Sequence, residues 1–469
     1  MEFEKPPLRG KAKNLYGLSD FAFSLMASVE NYYLMFFLTN VAKLPLAGIA
    51  TATSLAYTAD SVGQGIYAGI ISAVKPMRWG KNRSYMLLFP PLVVLTFVLT
   101  FSRIGPDSFA LFVCGTMLFL TNMTRTFTWT SNLNLVNVLA SSADDRSLLA
   151  SRRATWTAAA GMVYSYAVIP NIARLQQVMP EQMVYTFIAM ITSAFYMLMC
   201  WVVFWGTSGY EATGEAAKAQ GASASQQIGL IDILKSAIQN PYLLVILVGA
   251  LISSCFSAGM TSANTYYYTY IGKPNLFPLQ LFCQAAMGTF SSFIAASVGK
   301  RIGYKTSVLI GTFGMAACNL TGSLVAMRSN ELLIACIICR SFFQGINGPN
   351  LIALYGDCAI YARWKTGKET SAFVMGSQTI PLKIGLMLRG ILVPLILAIS
   401  GFDPNIAPAD AGVDIKNGII TMFLRLPAIG GAIYGAILLF GFRLTRERVN
   451  EMQNEINERE AAQMLEASA

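Results

Sequence analysis

Phe23–Asn40 read FSLMASVENYYLMFFLTN, an apolar and aromatic run with Glu30 near its middle. With its flanks the run is long enough to cross a bilayer as a helix, which takes about 20 residues. A bare carboxylate at that depth costs about 2.5–3.5 kcal/mol on insertion scales. Glu30 therefore needs a buried cation or a proton, and the search for its partner runs through the rest of the chain.

The surroundings repeat the pattern. The 469 residues are 54% hydrophobic and only 12% charged, with mean hydropathy +0.51. Soluble domains carry about 25% charged residues, so a polytopic membrane protein is expected. The start, MEFEKPPLRGKAKN, is polar and basic. The apolar run after it is too long for a signal peptide, so the first span is expected to stay as an uncleaved insertion signal. Twelve spans are expected: 17–41, 46–74, 84–102, 108–139, 154–172, 182–206, 241–271, 277–299, 305–327, 332–358, 371–400 and 418–442.

Loop charge orients them. With both termini cytoplasmic, the inner segments hold 23 Lys and Arg and the outer loops six, the bias the positive-inside rule requires. A multi-pass protein of the cell (inner or plasma) membrane is expected. This bias also accounts for the net charge of +10, and no nucleic-acid motif is present. Histidine is absent, which removes His metal sites, haem ligation and His general bases. No cofactor is expected beyond a coupling ion, and no enzymatic activity. Cys336 and Cys339 form a C-x-x-C inside an apolar helix, read as packing.

The loop GTSGYEATGEAAKAQGASASQQ is rich in Gly, Ala and Ser and reads as a flexible linker. It divides the chain into an N-terminal six-helix bundle (1–206), a cytoplasmic linker with a short amphipathic helix (207–240), a C-terminal six-helix bundle (241–442) and a cytoplasmic tail (443–469), read as a charged, solvated helix. Each half has a basic turn after its second span, KPMRWGKNR and VGKRIGYK. The fold class expected is all-α integral membrane: a major facilitator fold, twelve transmembrane helices in two bundles, with substrate bound at the midplane.

Several stretches carry a resemblance: YGLSDF (16–21), RWGKNR (78–83), NPYLL (240–244), TYYYTYIG (265–272) and GDCAIYARWKTGKETSAFVMGSQTIPLKIG (356–385). The last holds an acid (Asp357), a tyrosine (Tyr361), a TGK (366–368) and a Q-T-x-x-x-K-x-G (Gln378, Thr379, Lys383, Gly385). The chain resembles the glycoside–pentoside–hexuronide:cation symporters, the melibiose permease-like family of the major facilitator superfamily. That resemblance implies a secondary transporter coupling sugar uptake to Na⁺, H⁺ or Li⁺. It implies a cation site of two acids on span two, and sugar held by acids on spans one and four and an arginine at span five. Here the span-two pattern reads DSVGQG, with Asp60 at the first acid and Gln64 at the second. The span-one acid position falls on Ser24, span four has no acid, and Arg152 or Arg153 stands near the family's arginine.

Polar residues recur at helical spacing within the spans: Asp20, Ser24 and Asn31; Tyr57, Asp60 and Gln64; Thr121, Arg125, Thr128 and Asn132; Arg340, Gln344 and Asn347. Such stripes should face a bundle interior or a wet cavity. Asp60, Gln64 and Glu30 are the expected coupling residues, with H⁺ on at least an equal footing with Na⁺ because one carboxylate suffices for a proton. Glu30 is expected to pair with Arg125, as a fixed ion pair or as a titrating group. Asp20, Ser24, Asn31, Arg125, Thr128, Arg153, Arg340, Gln344, Gln378, Thr379 and Lys383 are the expected substrate-binding residues, with snorkelling as the alternative for Lys383. Arg78, Lys81, Asp357, Arg363 and Lys368 are expected to form the gate. Tyr32, Tyr33, Trp129 and Tyr266 either stack on sugar or pack.

Arg125, Arg340, Lys383, Arg389 and Arg425 are the cations within spans. Cations in or near the cavity, Arg125, Arg152 or Arg153, Arg340 and Lys383, exceed its acids Glu30 and Asp60, which favours an anionic solute; if they are all paired, a neutral glycoside is equally expected. The expected activity is import of a sugar or glycoside with H⁺ or Na⁺ by a monomer in the lipid bilayer. A carrier of an anionic or amphipathic, lipid-like solute and a non-transporting sensor are the alternatives.

Overall fold

The computed structural model describes residues 8, 10–73, 77–140, 143–211, 240–367 and 371–468 and, within these, all side chains except those of 64–73, 143, 144, 147, 366, 371–373 and 460–468. The linker helix expected within 212–239 lies outside the described residues. The elements are helical, with no strand among the described residues. Among the described residues ten helices are long and apolar enough to cross a membrane. The other two expected spans are helices as well, Leu46–Ala73 of 28 residues and Ala143–Val163 of 21. At about 1.5 Å per residue, each exceeds the hydrocarbon thickness of about 30 Å.

The spans are, in order, Gly10–Val41, Leu46–Ala73, Lys81–Thr100, Asp107–Leu139, Ala143–Leu175, Glu181–Gly206, Pro241–Tyr270, Pro274–Ile302, Tyr304–Val325, Asn330–Thr366, Ser371–Ile399 and Val413–Gly441. Local chemistry sets their ends. Asn240 caps span seven by accepting from the Leu243 N–H, with Pro241 in the first turn. Ser329 caps span ten through Leu332, and Gly367 ends it at φ 68°. Span eleven is interrupted at Ser377 and Gln378. Among the described residues, π-helical turns end span one at Phe37–Val41 and interrupt spans five and twelve at Tyr164–Val168 and Thr421–Arg425.

The two basic turns are structural equivalents. Gly80 (φ 106°, ψ 168°) precedes span three, and Gly303 (φ 89°, ψ 147°) precedes span nine. Both lie at or near a backbone region open essentially to glycine alone. Helix pairing repeats too. Span one packs on six, three on four and three on six; seven packs on twelve, nine on ten and nine on twelve. Small residues allow the close approaches: a Cβ at Gly314 of span nine would lie 2.5 Å from the Phe343 ring of span ten.

Contacts divide the chain into two compact units. One contains Met1–Gln227, Thr261–Phe282 and Arg389–Ile419; the other contains Ile228–Met260, Cys283–Leu388 and Ile420–Ala469. In both, large apolar side chains face outward. Leu55, Phe112, Trp205, Phe293, Leu324 and Phe440 are 67–81% exposed, an arrangement only lipid accommodates. Polar residues such as Thr121, Asn122, Thr128, Ser131 and Asn132 of span four are buried.

The tail departs from expectation. Its helix, Arg446–Ser468, buries one side along residues 446–459. Val449, Met452 and Ile456, spaced for one helical face, are buried. Val449 and Met452 join a core with Leu354, Ala362, Val374 and Leu444. The expectation of a fully solvated helix followed from its many charges and overlooked this sparse apolar stripe.

Candidate functional site

The first unit holds two buried charge clusters. At the centre of one is Glu30, 3% exposed. Its Oε2 accepts from Arg125 Nη1 at 2.7 Å, the pairing that depth along the helices suggests. Its Oε1 accepts from the Tyr57 hydroxyl at 3.1 Å. A second guanidinium stands behind that hydroxyl: Arg389 of span eleven, 3% exposed, donates from Nη2 to Tyr57 Oη at 2.5 Å. The same Nη2 lies 3.8 Å from Glu30 Oε1. Arg389 Nη1 donates to Asn31 Oδ1 at 2.7 Å, and Arg125 donates through Nη2 to Asn122 Oδ1. Asp60, 5% exposed, adds its charge to the field at Arg125. The carboxylate thus rests on donors from spans two and four, with span eleven one step further out.

The second cluster joins Asp20 and Arg153. Arg153 grips the carboxylate with two bonds, Nε to Oδ2 at 2.8 Å and Nη2 to Oδ1 at 2.6 Å. Asn132 Nδ2 donates to the same carboxylate at 3.2 Å, and Tyr16 hydroxyl donates to the Asn132 carbonyl. A fork on a carboxylate is the strongest form of such a pair. An aromatic stack links the clusters. Arg125 lies 5.4 Å from the Phe23 ring, Phe23 and Trp129 rings are 4.5 Å apart, and Arg153 lies 5.1 Å from Trp129.

Among the remaining expected site residues, the structure separates roles. Thr128 donates to the Thr124 carbonyl of its own helix. Ser24 is half-buried on span one. Gln344 and Thr379 are exposed, while Arg340, Gln378 and Lys383 are half-buried; these five lie in the second unit. Gln378 stands at the interruption of span eleven, with Nε2 3.8 Å from Met375 Sδ. The Gln64 side chain lies outside the described residues, as does Lys368. Tyr33 and Tyr266 are buried, and Tyr32 stacks on Tyr164 at 5.6 Å.

At the gate positions, Arg78 is exposed beside Trp79, Lys81 is half-buried at the start of span three, and Arg363 is half-buried near the end of span ten. Asp357 lies within electrostatic reach of Arg446. Beside these positions Arg83 donates to the Phe204 and Trp79 carbonyls. All eight cysteines are free, including Cys336 and Cys339.

Three participants escaped sequence reasoning. Arg389 was an unassigned cation inside an apolar helix, and the need of any such cation for a partner was the signal available. The Tyr57 hydroxyl had none beyond sharing a face with Asp60. Glu211, just after span six, accepts from the Asn82 N–H at 2.8 Å and the Arg83 N–H at 3.0 Å. It caps the first turn of span three across 129 positions of sequence, beyond the reach of local pattern.

Lipid-facing apolar surface, paired six-span repeats and buried polar clusters define a membrane carrier. Comparison with known proteins places it further. A family model described as MFS/sugar transport protein matches residues 15–446, and the chain belongs to that family, in keeping with its symporter motifs. The chain is 24% identical over 468 residues to the uncharacterized symporter YjmB of Bacillus subtilis, covering 96% of this chain and 95% of that one. It is 22% identical over 436 residues to the isoprimeverose transporter of Lactiplantibacillus pentosus, covering 91% and 87%. In structure it is similar to the nucleoside transporter NupG, with a TM-score of 0.64, 12% identity and coverage of 93% and 100%; that likeness concerns the fold. The protein is a secondary active transporter of sugars.

Proposed function

We propose that this transporter imports an uncharged sugar or glycoside together with a proton, with Glu30 and Asp60 as the coupling carboxylates and both termini in the cytoplasm. The supporting observation is the setting of Glu30. Both its oxygens face N–H and O–H donors, whereas a bound Na⁺ needs several oxygens turned toward it. A proton needs one carboxylate. Gln64 in place of the family's second span-two acid argues the same way.

The neutral substrate follows from charge balance. The surplus of cations that favoured an anionic solute loses Arg125 and Arg153, each paired with a buried carboxylate. The name of the isoprimeverose transporter supports a glycoside. The charge bias between loops supports the orientation. We take the protein to be a carrier rather than an enzyme, in line with its family.

The test is uptake by proteoliposomes offered labelled neutral, carboxylated and sulfonated glycosides under an imposed proton or Na⁺ gradient. Accumulation of a neutral glycoside driven by the proton gradient, and lost in Asp60→Asn or Glu30→Gln, is the expected result. Gradient-driven accumulation unchanged in both variants would overturn the coupling assignment. Accumulation of acidic glycosides alone would overturn the substrate class.

A further inference from the structure

We propose that Arg389 is a latch through which the proton on Glu30 controls the seating of the second part of span eleven on spans one and two. The inference rests on the proton-coupled reading above and adds to it the residue that converts charge into movement. Arg389 is the first residue of span eleven that belongs to the first unit. Next to it, Gly390 permits close approach to span two: a Cβ there would lie 2.8 Å from the Ser54 nitrogen. Thr53 Oγ1 donates to the Gly390 carbonyl at 3.3 Å. This segment is therefore held by a guanidinium beside a tight helix contact.

The charged and titratable groups facing Glu30 are Arg125 from span four, Tyr57 from span two and Arg389 from span eleven; Asp60 of span two acts on Arg125. The two arginines are held unequally. Arg125 touches the carboxylate at 2.7 Å and also bonds Asn122 of its own helix. Arg389 reaches the carboxylate only at 3.8 Å and through the Tyr57 hydroxyl, and its buried Nε has no acceptor. An unsatisfied buried donor weakens the hold on this side chain. A proton moving from solution onto Glu30 removes the negative charge that draws Arg389 inward, leaving neutral contacts to Asn31 and Tyr57. Arg389 is thus the member that leaves, and span eleven leaves with it. By linkage, its departure raises the proton affinity of Glu30 by the same factor.

The experiment places a cysteine at Thr53, 2% exposed against Gly390, in full-length protein with the native cysteines replaced. Its labelling by a permeant maleimide is measured without sugar from neutral pH down to the lowest pH at which the protein stays folded. Rates are normalised to Val178→Cys, an 81% exposed site, to remove the pH dependence of the thiol. Labelling in the otherwise unaltered protein is expected to rise at least about fivefold as pH falls. Glu30→Gln and Arg389→Gln are expected to label fast at every pH. Arg389→Lys, which keeps the charge but loses the fork, is expected to label at an intermediate rate and still respond to pH.

Retention of the unaltered pH profile in folded Arg389→Gln would overturn the latch, as would a flat profile in the unaltered protein. Should Arg389→Gln not fold, Tyr57→Phe is the second variant, and a profile unmoved by it overturns the proposal equally. Since no sugar is present, a failed uptake assay and a failed labelling profile are separate results.

Discussion

Arg125 and Glu30 meet at 2.7 Å from positions 95 residues apart, with their side chains 16% and 4% exposed. Removing one member of such a pair leaves a buried charge uncompensated, at a cost of about 3–5 kcal/mol. Arg125→Gln should therefore unfold at lower temperature in detergent than the parent protein. The double variant Glu30→Gln/Arg125→Gln should recover part of the loss but not all of it, because Arg389, 3.8 Å from Glu30, is then left with only its neutral contacts to Asn31 and Tyr57. A double variant no more stable than Arg125→Gln would show that the two side chains are not coupled.

Asp20 and Arg153 were both expected to contact substrate, yet each is the other's partner through two bonds. Their pairing predicts effects on stability before effects on affinity. Arg153→Lys cannot reproduce the fork and should lose about 1.5–3 kcal/mol, the worth of one charge-assisted hydrogen bond. Asp20→Asn should lose at least as much. Chemical denaturation in detergent, set beside the apparent sugar affinity of the same samples, checks this. A large loss of affinity at unchanged stability would restore a direct substrate role.

What could be read from the sequence follows from the range of the interactions. Span positions were legible because bilayer thickness imposes one length scale on every helix. The Glu30–Arg125 pair was legible because each charge sits deep in its own helix and few partners exist. Arg389 was visible as a deep cation, but its partner on span one lies 358 positions away. Without knowing which helices touch, no pattern joins them. The three π-helical turns had no signal, since they answer to packing rather than to local propensity. The buried stripe of the tail was legible in principle: Val449, Met452 and Ile456 have helical spacing, but the surrounding charges masked it.

The cap on span three offers a third test. Glu211 accepts from two backbone N–H groups and from Asn82 Nδ2. Loss of a cap costs about 0.5–2 kcal/mol, so Glu211→Ala should lower the unfolding free energy by that amount and Glu211→Gln by less. Gly80→Ala should cost more. Its φ of 106° strains any side chain, and a Cβ would lie 2.4 Å from the Glu211 carboxylate. If thermal unfolding finds Gly80→Ala as stable as the parent, the assignment of this turn is wrong.

The tail helix supplies the last prediction. Glu455 Oε2 accepts from the Trp364 indole N–H at 2.6 Å. Arg448 lies 5.3 Å from the same ring, and Arg459 donates to the Trp364 carbonyl at 3.2 Å. Beneath this polar layer Met452 is 3% exposed. A buried methionine cut back to alanine costs about 2–5 kcal/mol, whereas exposed Arg448 and Glu451 form an ion pair that solvent screens. Met452→Ala should therefore destabilise the protein clearly more than Glu451→Gln, despite the excess of charge along the helix. Trp364→Phe should fall between them, keeping the ring but losing the hydrogen bond. Thermal unfolding of the three variants gives the order directly. A Met452→Ala midpoint equal to that of Glu451→Gln would mean that the helix does not rest on span ten in the membrane-extracted protein.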